Sequence, residues 1–232
     1  MAGSMKIQTF TRLPTRHFSC SMKGTDLMYG NYSALTDKVL FDLCDDIHSS
    51  NVTAGWWNDL KTGDSLLETR NRPEMLMLSV SELSEASAGY SGNLPDDKLT
   101  SLPMCSVELA DTAIRLFDTI GANISIYGLS IGADWASARA AALVIGARMR
   151  HETTNGALML IVNWLSKAME DYRKGRTEAY VSAMQVALLS VFALAEQRGI
   201  DLLDVIEQKL LFNKSRPDHK PENRRKDGGK QF

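Results

Sequence analysis

The chain has 232 residues, 44% of them apolar, with 28 acidic side chains against 26 basic ones and a formal net charge of −2. That length suits one larger domain or two small ones, and the apolar share is ordinary for a globular protein. Near-neutrality forces no basic face, so charge alone implies no binding to a nucleic-acid duplex.

Met1–Ser4, MAGS before a second Met, reads as an expression scar and is left out of the fold reasoning. Residues 1–34 carry Pro14, Gly24 and Gly30 and read as mostly irregular. Val39, Leu40, Leu43 and Ile47 then predict an amphipathic helix over 35–48, capped by Ser33 or Thr36. Residues 51–72 are polar but hold Trp56 and Trp57. Pro73 suits the first turn of a second helix, running to about Ser87 and ended by Gly89. MLML (75–78) reads as core, and SGNLPDDK as loop. Ser101 and Pro103 open a third helix, through about Thr119 and stopped near Gly121.

Further helices are expected over 134–150, which is rich in alanine, over 157–173, and over 178–198. The last of these has its apolar spacing at Val181, Met184, Leu188, Val191 and Ala195. GIDLLDVIEQKLLFN starts another helix at about Asp201. IYGLSI (126–131) is the one short strand candidate. The fold class expected is therefore all-α. The chain closes on KSRPDHKPENRRKDGGKQF, a basic segment with Lys214, Arg216, His219, Lys220, Arg224, Arg225 and Lys230. Its composition fits a disordered end or a lid over a bound triphosphate.

LMLSVSELSEA (76–86) aligns with LMLIVNWLSKA (158–168), each following a similar helix end. This suggests a degraded duplication in which Trp164 and Lys167 replace Glu82 and Glu85, and Gln185 falls near the place of Asp111.

The chemistry lies in VSELSEA (80–86) and VELADTA (107–113). Residues three apart share nearly one helix face, so Glu82 points with Glu85, and Glu108 with Asp111. If the two helices are antiparallel, all four carboxylates converge. Two like charges ~4 Å apart repel by several kcal/mol at an effective dielectric of ~20. Protonation, an arginine or a metal must offset that. Oxygen-only ligation selects Mg²⁺, or Mn²⁺ as a substitute. The competing reading is a solvated acidic face, with Arg115, four after Asp111, in a plain salt bridge. Two features weigh against it. Glu82 and Glu85 sit among Ser81, Ser84, Ala86 and Ser87, and the second pair adjoins an apolar stripe at Val107, Ala110, Ile114 and Phe117.

Trp57 is the choice for stacking on a nucleobase, against a purely packing role. Lys98 reads as a phosphate contact or a solvated loop lysine. His48 and His151 read as helix-end caps or dipole partners, and Cys44 as packing. The three cysteines, Cys20, Cys44 and Cys105, form no CxxC pair, which favours a reducing cytoplasm. No apolar run reaches the ~18–20 residues of a membrane span, and no signal-peptide pattern is present. No GxxxxGK[ST] occurs, which argues against a P-loop ATPase.

ELSE, then ELAD after LPDDKL, then a helix ending KLLFN and the tail RPDHKPENRRKDGGKQF together resemble the MazG-like, all-α nucleoside triphosphate pyrophosphatases of phages and bacteria. The likeness covers most of 35–120 and 199–232. It implies a four-helix-bundle fold, with Glu82, Glu85, Glu108 and Asp111 holding Mg²⁺ and Lys209 and Asn213 reaching the substrate, with Arg216 beside them in the tail. The implied reaction is hydrolysis of a (deoxy)nucleoside triphosphate to the monophosphate and pyrophosphate, by metal-activated water at the α-phosphorus. Glu82 or Glu85 would take the proton. In this chain a second helical half separates ExxD from Lys209, unlike the family pattern, so an intramolecular pseudo-dimer is expected. The chain then divides into an irregular 1–34, a catalytic half 35–122, a degenerate half 123–213 and a basic tail 214–232, as one integrated domain. A homodimer in the cytoplasm, the host cytoplasm if phage-encoded, completes the expectation. The alternatives are a non-catalytic helical nucleotide-binding or assembly protein, and a di-iron carboxylate bundle. The last is disfavoured because neither acidic motif supplies the Glu-x-x-His such sites use.

Overall fold

The structure, a computed structural model, describes residues 35–128 and 135–230. Expectations for residues 1–34, including a Ser33 cap and Cys20, fall outside them. Among the described residues there is no strand, only isolated bridges at Asn58–Ser65 and Pro95–Pro103. The described residues form seven longer helices, in chain order α1 (Asp37–Thr53), α2 (Arg72–Gly92), α3 (Met104–Tyr127), α4 (Trp135–Met149), α5 (Thr154–Arg173), α6 (Thr177–Gln197) and α7 (Leu202–Ser215). A 3₁₀ turn (Pro217–His219) and a short α8 (Pro221–Arg224) follow.

Local chemistry starts four of these helices, while the expected Ser101 cap of α3 is not formed: Pro103 is its N-cap and no side chain caps it. The Thr36 side chain accepts from the Val39 N–H, Asn71 from Glu74, Thr153 from Gly156 and Asp201 from Asp204. Each satisfies an N–H that the first turn leaves without a helical partner. The predicted stops at glycine are wrong in two places. α2 passes Gly89 and ends one turn later, where Asn93 takes the left-handed conformation with φ 48°. α3 passes Gly121 and continues to Tyr127. Both glycines mark close approaches instead. A Cβ on Gly89 would lie 2.8 Å from Met104 Cβ, and one on Gly121 only 2.4 Å from the Cys44 carbonyl oxygen. Absence of a side chain lets α3 start against the end of α2 and lets α1 cross the middle of α3. Ile126 and Tyr127, read as a strand, are the last turn of α3; 129–131 are outside the described residues.

α2 and α3 form an antiparallel hairpin through 93–103, closed by Asp96 N–H to Leu102 O and Met104 N–H to Leu94 O. α5 and α6 form a second hairpin. α1 packs on α3 as α4 packs on α6, while α3 meets α6, α2 meets α5, and α7 lies on α3. The core is the α3–α6 seam, where Phe117 and Phe192 meet edge to face at 6.1 Å. α6 is long and apolar enough to cross a membrane by length and composition, although no such run was expected; most of it is buried inside the bundle. In MLML only Leu76 is fully buried, and Met77 is 65% exposed because it faces away from the hairpin.

Candidate active site

The α2–α3 register decides which acids meet. Gly89 abuts Met104 and Cys105, so moving back along α2 while moving forward along α3 brings Glu82 level with Asp111 and Arg115. Glu82, Glu108 and Asp111 each place one carboxylate oxygen within 4.8 Å of the others. Glu82 and Glu108 are buried, and Asp111 is partly so. Glu85 does not join this triad. It lies nearer the C-terminal end of α2 and stands exposed at the rim of the same cavity.

Two cations already address the triad. Arg115 Nε donates to Glu82 Oε1 at 2.6 Å, across the hairpin, so its partner is Glu82 and not Asp111 on its own helix. Lys209 of α7, itself buried, reaches Asp111 Oδ2 at 2.7 Å. Glu108 has no such cation among the described residues. Burial, then Asp111 and Glu82, push its carboxyl up to about 8, so it holds a proton at neutral pH. Burial also raises Asp111, against the pull of Lys209. Arg115 uses one oxygen of Glu82 and Lys209 one of Asp111, leaving each carboxylate a second oxygen. With the Glu108 carboxylate, the donor set is oxygen only and fits a hard cation such as Mg²⁺.

Together with Glu85, these acids line a cavity of about 690 Å³ that also gathers the candidate substrate-binding residues. Trp57, Lys98, Lys209, Asn213 and Arg216 all border it. Asn213 Oδ1 is buried there without a hydrogen-bond partner. Lys98 Nζ also bonds Asp97, at 3.0 Å. Arg216 pairs with Asp218 at 2.5 Å.

Trp57 is not available for stacking. It is 2% exposed, its indole N–H donates to Asp118 Oδ1 at 2.9 Å, and the guanidiniums of Arg70 and Arg72 lie over its ring. Trp56, also on the cavity wall, is only partly buried; Arg224 covers one face at 3.6 Å and His219 meets it edge-on at 5.1 Å. His48 is likewise not a helix cap. It is buried, with Nδ1 2.8 Å from Asp118 Oδ1, and Asn51 Nδ2 donates to Asp118 Oδ2 at 2.8 Å. Sequence reasoning missed Asp118 as the hub of this network. The signal was present: Asp118 lies seven after Asp111 on α3, and His48 and Asn51 are three apart on α1. Cys44 is packing, as expected, and its burial pushes the thiol far up.

The basic tail is folded back over the insert between α1 and α2. Arg225 Nε donates to the Leu60 carbonyl at 2.7 Å, and Asn223 Nδ2 to that of Pro217 at 2.7 Å. His219 is held down at about 4 by burial and by Arg216 and Lys230, so it is neutral at pH 7. No family model, no curated protein and no solved structure matches this chain.

Proposed function

We propose that the chain is a Mg²⁺-dependent nucleoside triphosphate pyrophosphohydrolase of MazG-like type. The observation that carries this reading is the joining, in one cavity of about 690 Å³, of an oxygen-only acidic triad with the lysines, arginines and asparagine expected to meet a substrate. Glu82, Glu108 and Asp111 would hold Mg²⁺. The ion, when bound, supplies charge neutralisation for the phosphates and a lowered pKa for attacking water. Glu85, exposed and outside the triad, would accept the proton of a water that attacks the α-phosphorus. The bond from that phosphorus to the bridging oxygen breaks, and pyrophosphate leaves with the electron pair. Lys98, Lys209, Asn213 and Arg216 would bind the nucleotide, and Trp56 takes over the stacking role expected of Trp57. The two hairpins, with α1 on one and α4 on the other, support a duplication in which 123–213 replaces a second subunit around the catalytic half 35–122. A homodimer in the cytoplasm completes the proposal.

The test is pyrophosphate release from a panel of NTPs and dNTPs. The wild-type chain should turn over at least one of them with Mg²⁺. Glu82→Gln and Asp111→Asn should each lower kcat by 100-fold or more, a loss of ~3 kcal/mol of transition-state stabilisation, with the helical CD signal kept. Retained turnover in both variants rejects this mechanism.

One observation favours a second reading, a non-catalytic nucleotide-binding or assembly protein. Arg115 and Lys209 neutralise two of the three acids and Glu108 is protonated, so the cluster is balanced without a metal. Nucleotide binding by calorimetry with no product formed would select it.

A further inference from the structure

The two cations on the acidic triad differ in how they are held. Lys209 comes from α7 and reaches Asp111 Oδ2 with its side chain only 5% exposed. Arg115 shares α3 with Glu108 and Asp111 but crosses to Glu82 on α2, and its side chain is 35% exposed on the cavity wall. Its Nε and Nη2 both converge on one oxygen, Glu82 Oε1, each at 2.6 Å. Glu82 is buried. Taking the guanidinium away with nothing in its place would leave a buried carboxylate without a counter-charge, which is strongly unfavourable.

That arrangement bears on any ion that enters. Oxygens of Glu82, Glu108 and Asp111 lie within 4.8 Å of one another, so a divalent cation among them would stand close to the guanidinium and repel it. A carboxylate so placed does not keep both partners at full strength. Lys209 is walled in by the bundle and has no open side to move to. Arg115 opens onto the cavity, where its guanidinium can turn away from Glu82 and be solvated. Arg115 is therefore the exchangeable cation, and Lys209 the resident one.

We propose that Arg115 is an internal lock on the acidic triad: a built-in counter-cation that holds Glu82 until a divalent ion displaces it, while Lys209 stays on Asp111. Arg115 is on this view a positioning residue that sets the metal affinity of the site. The lock rests on the metal-dependent reading above, but its test needs no nucleotide. Binding of Mn²⁺ to the full metal-free chain is measured by calorimetry, with the rise in melting temperature on adding Mn²⁺ as a second readout. Arg115→Gln should bind Mn²⁺ about tenfold or more tighter than the wild type, whereas a merely structural role would weaken binding. Arg115→Lys, which keeps the charge, should bind as the wild type does. Arg139→Gln removes the same charge from a pair with Asp37 outside the cavity, and should leave the affinity unchanged. Without metal, Arg115→Gln should melt below the wild type, and Mn²⁺ should raise its melting temperature by more. Equal or weaker binding in Arg115→Gln, the same tightening in Arg139→Gln, or no binding by either chain overturns the lock. If Mn²⁺ supports turnover but Arg115→Gln binds it no tighter, the lock fails alone. If Arg115→Gln binds tighter and no nucleotide is hydrolysed, the catalytic reading fails alone.

Discussion

Glu108 is the residue whose environment makes the sharpest claim. Its carboxyl is raised from an ordinary 4.5 to about 8, by burial first and by its acidic neighbours second. The folded state therefore holds a proton that the unfolded chain has already released. Its contribution to stability is present below about pH 4.5 and is lost as pH rises through about 8. The metal-free protein should show a melting temperature that falls from pH 6.5 to pH 8.5, above the range in which the depressed His219 adds stability with rising pH, and Glu108→Gln should flatten that fall. A divalent cation must displace the same proton, so stabilisation by Mg²⁺ should grow over the same range. A metal-free melting temperature that rises from pH 6.5 to 8.5 would contradict the assignment. The acids themselves were legible, because ExxE and ExxD put pairs of carboxylates on single faces. Glu85's departure was not, since Glu108 and Asp111 keep the same three-residue spacing and stay together; which acids meet is decided by how the two helices dock. Nor was the Asp118 network, whose donors come from His48, Asn51 and Trp57 on separate segments.

Helix order and type were readable from the apolar spacing and caps, because those signals are local. Helix ends are less legible, because a glycine reads alike as a stop and as a close approach between helices. Gly89 and Gly121 serve contacts between helices, and such contacts leave no mark in a single segment's pattern. Gly121 gives the element-scale prediction. Alanine normally stabilises a helix relative to glycine by roughly 1 kcal/mol. Here its Cβ would sit 2.4 Å from the Cys44 carbonyl oxygen and 2.8 Å from His48 Cβ. Gly121→Ala should therefore destabilise the fold, by about 1–3 kcal/mol as for other overpacked sites, as read from urea unfolding. A more stable variant would show that α1 shifts away freely, and that the crossing does not fix His48 against Asp118.

At the scale of the whole molecule, the two hairpins lie across one another so that α3 meets α6 and α2 meets α5. LMLSVSELSEA and LMLIVNWLSKA thus occupy facing helices, which suits the proposed duplication: one copy carries the acids, and the other carries Trp164 and Lys167 in their places. α7 closes the arrangement by bringing Lys209 onto Asp111 from far along the chain, and the tail then covers the insert. That Lys209 comes to the acids of the first half was implied by family resemblance; no spacing rule predicts it, because a whole helical half lies between. On the proposed reading, three carboxylates balanced by Arg115, Lys209 and a proton would exchange that balance for a divalent cation. Anomalous scattering from crystals grown with Mn²⁺ tests it most directly. The account predicts a peak at ~2.1–2.3 Å from oxygens of Glu82, Glu108 and Asp111, typical of a small hard cation. Full Mn²⁺ soaking with no peak among them, and Arg115 and Lys209 still bonded to Glu82 and Asp111, would contradict it.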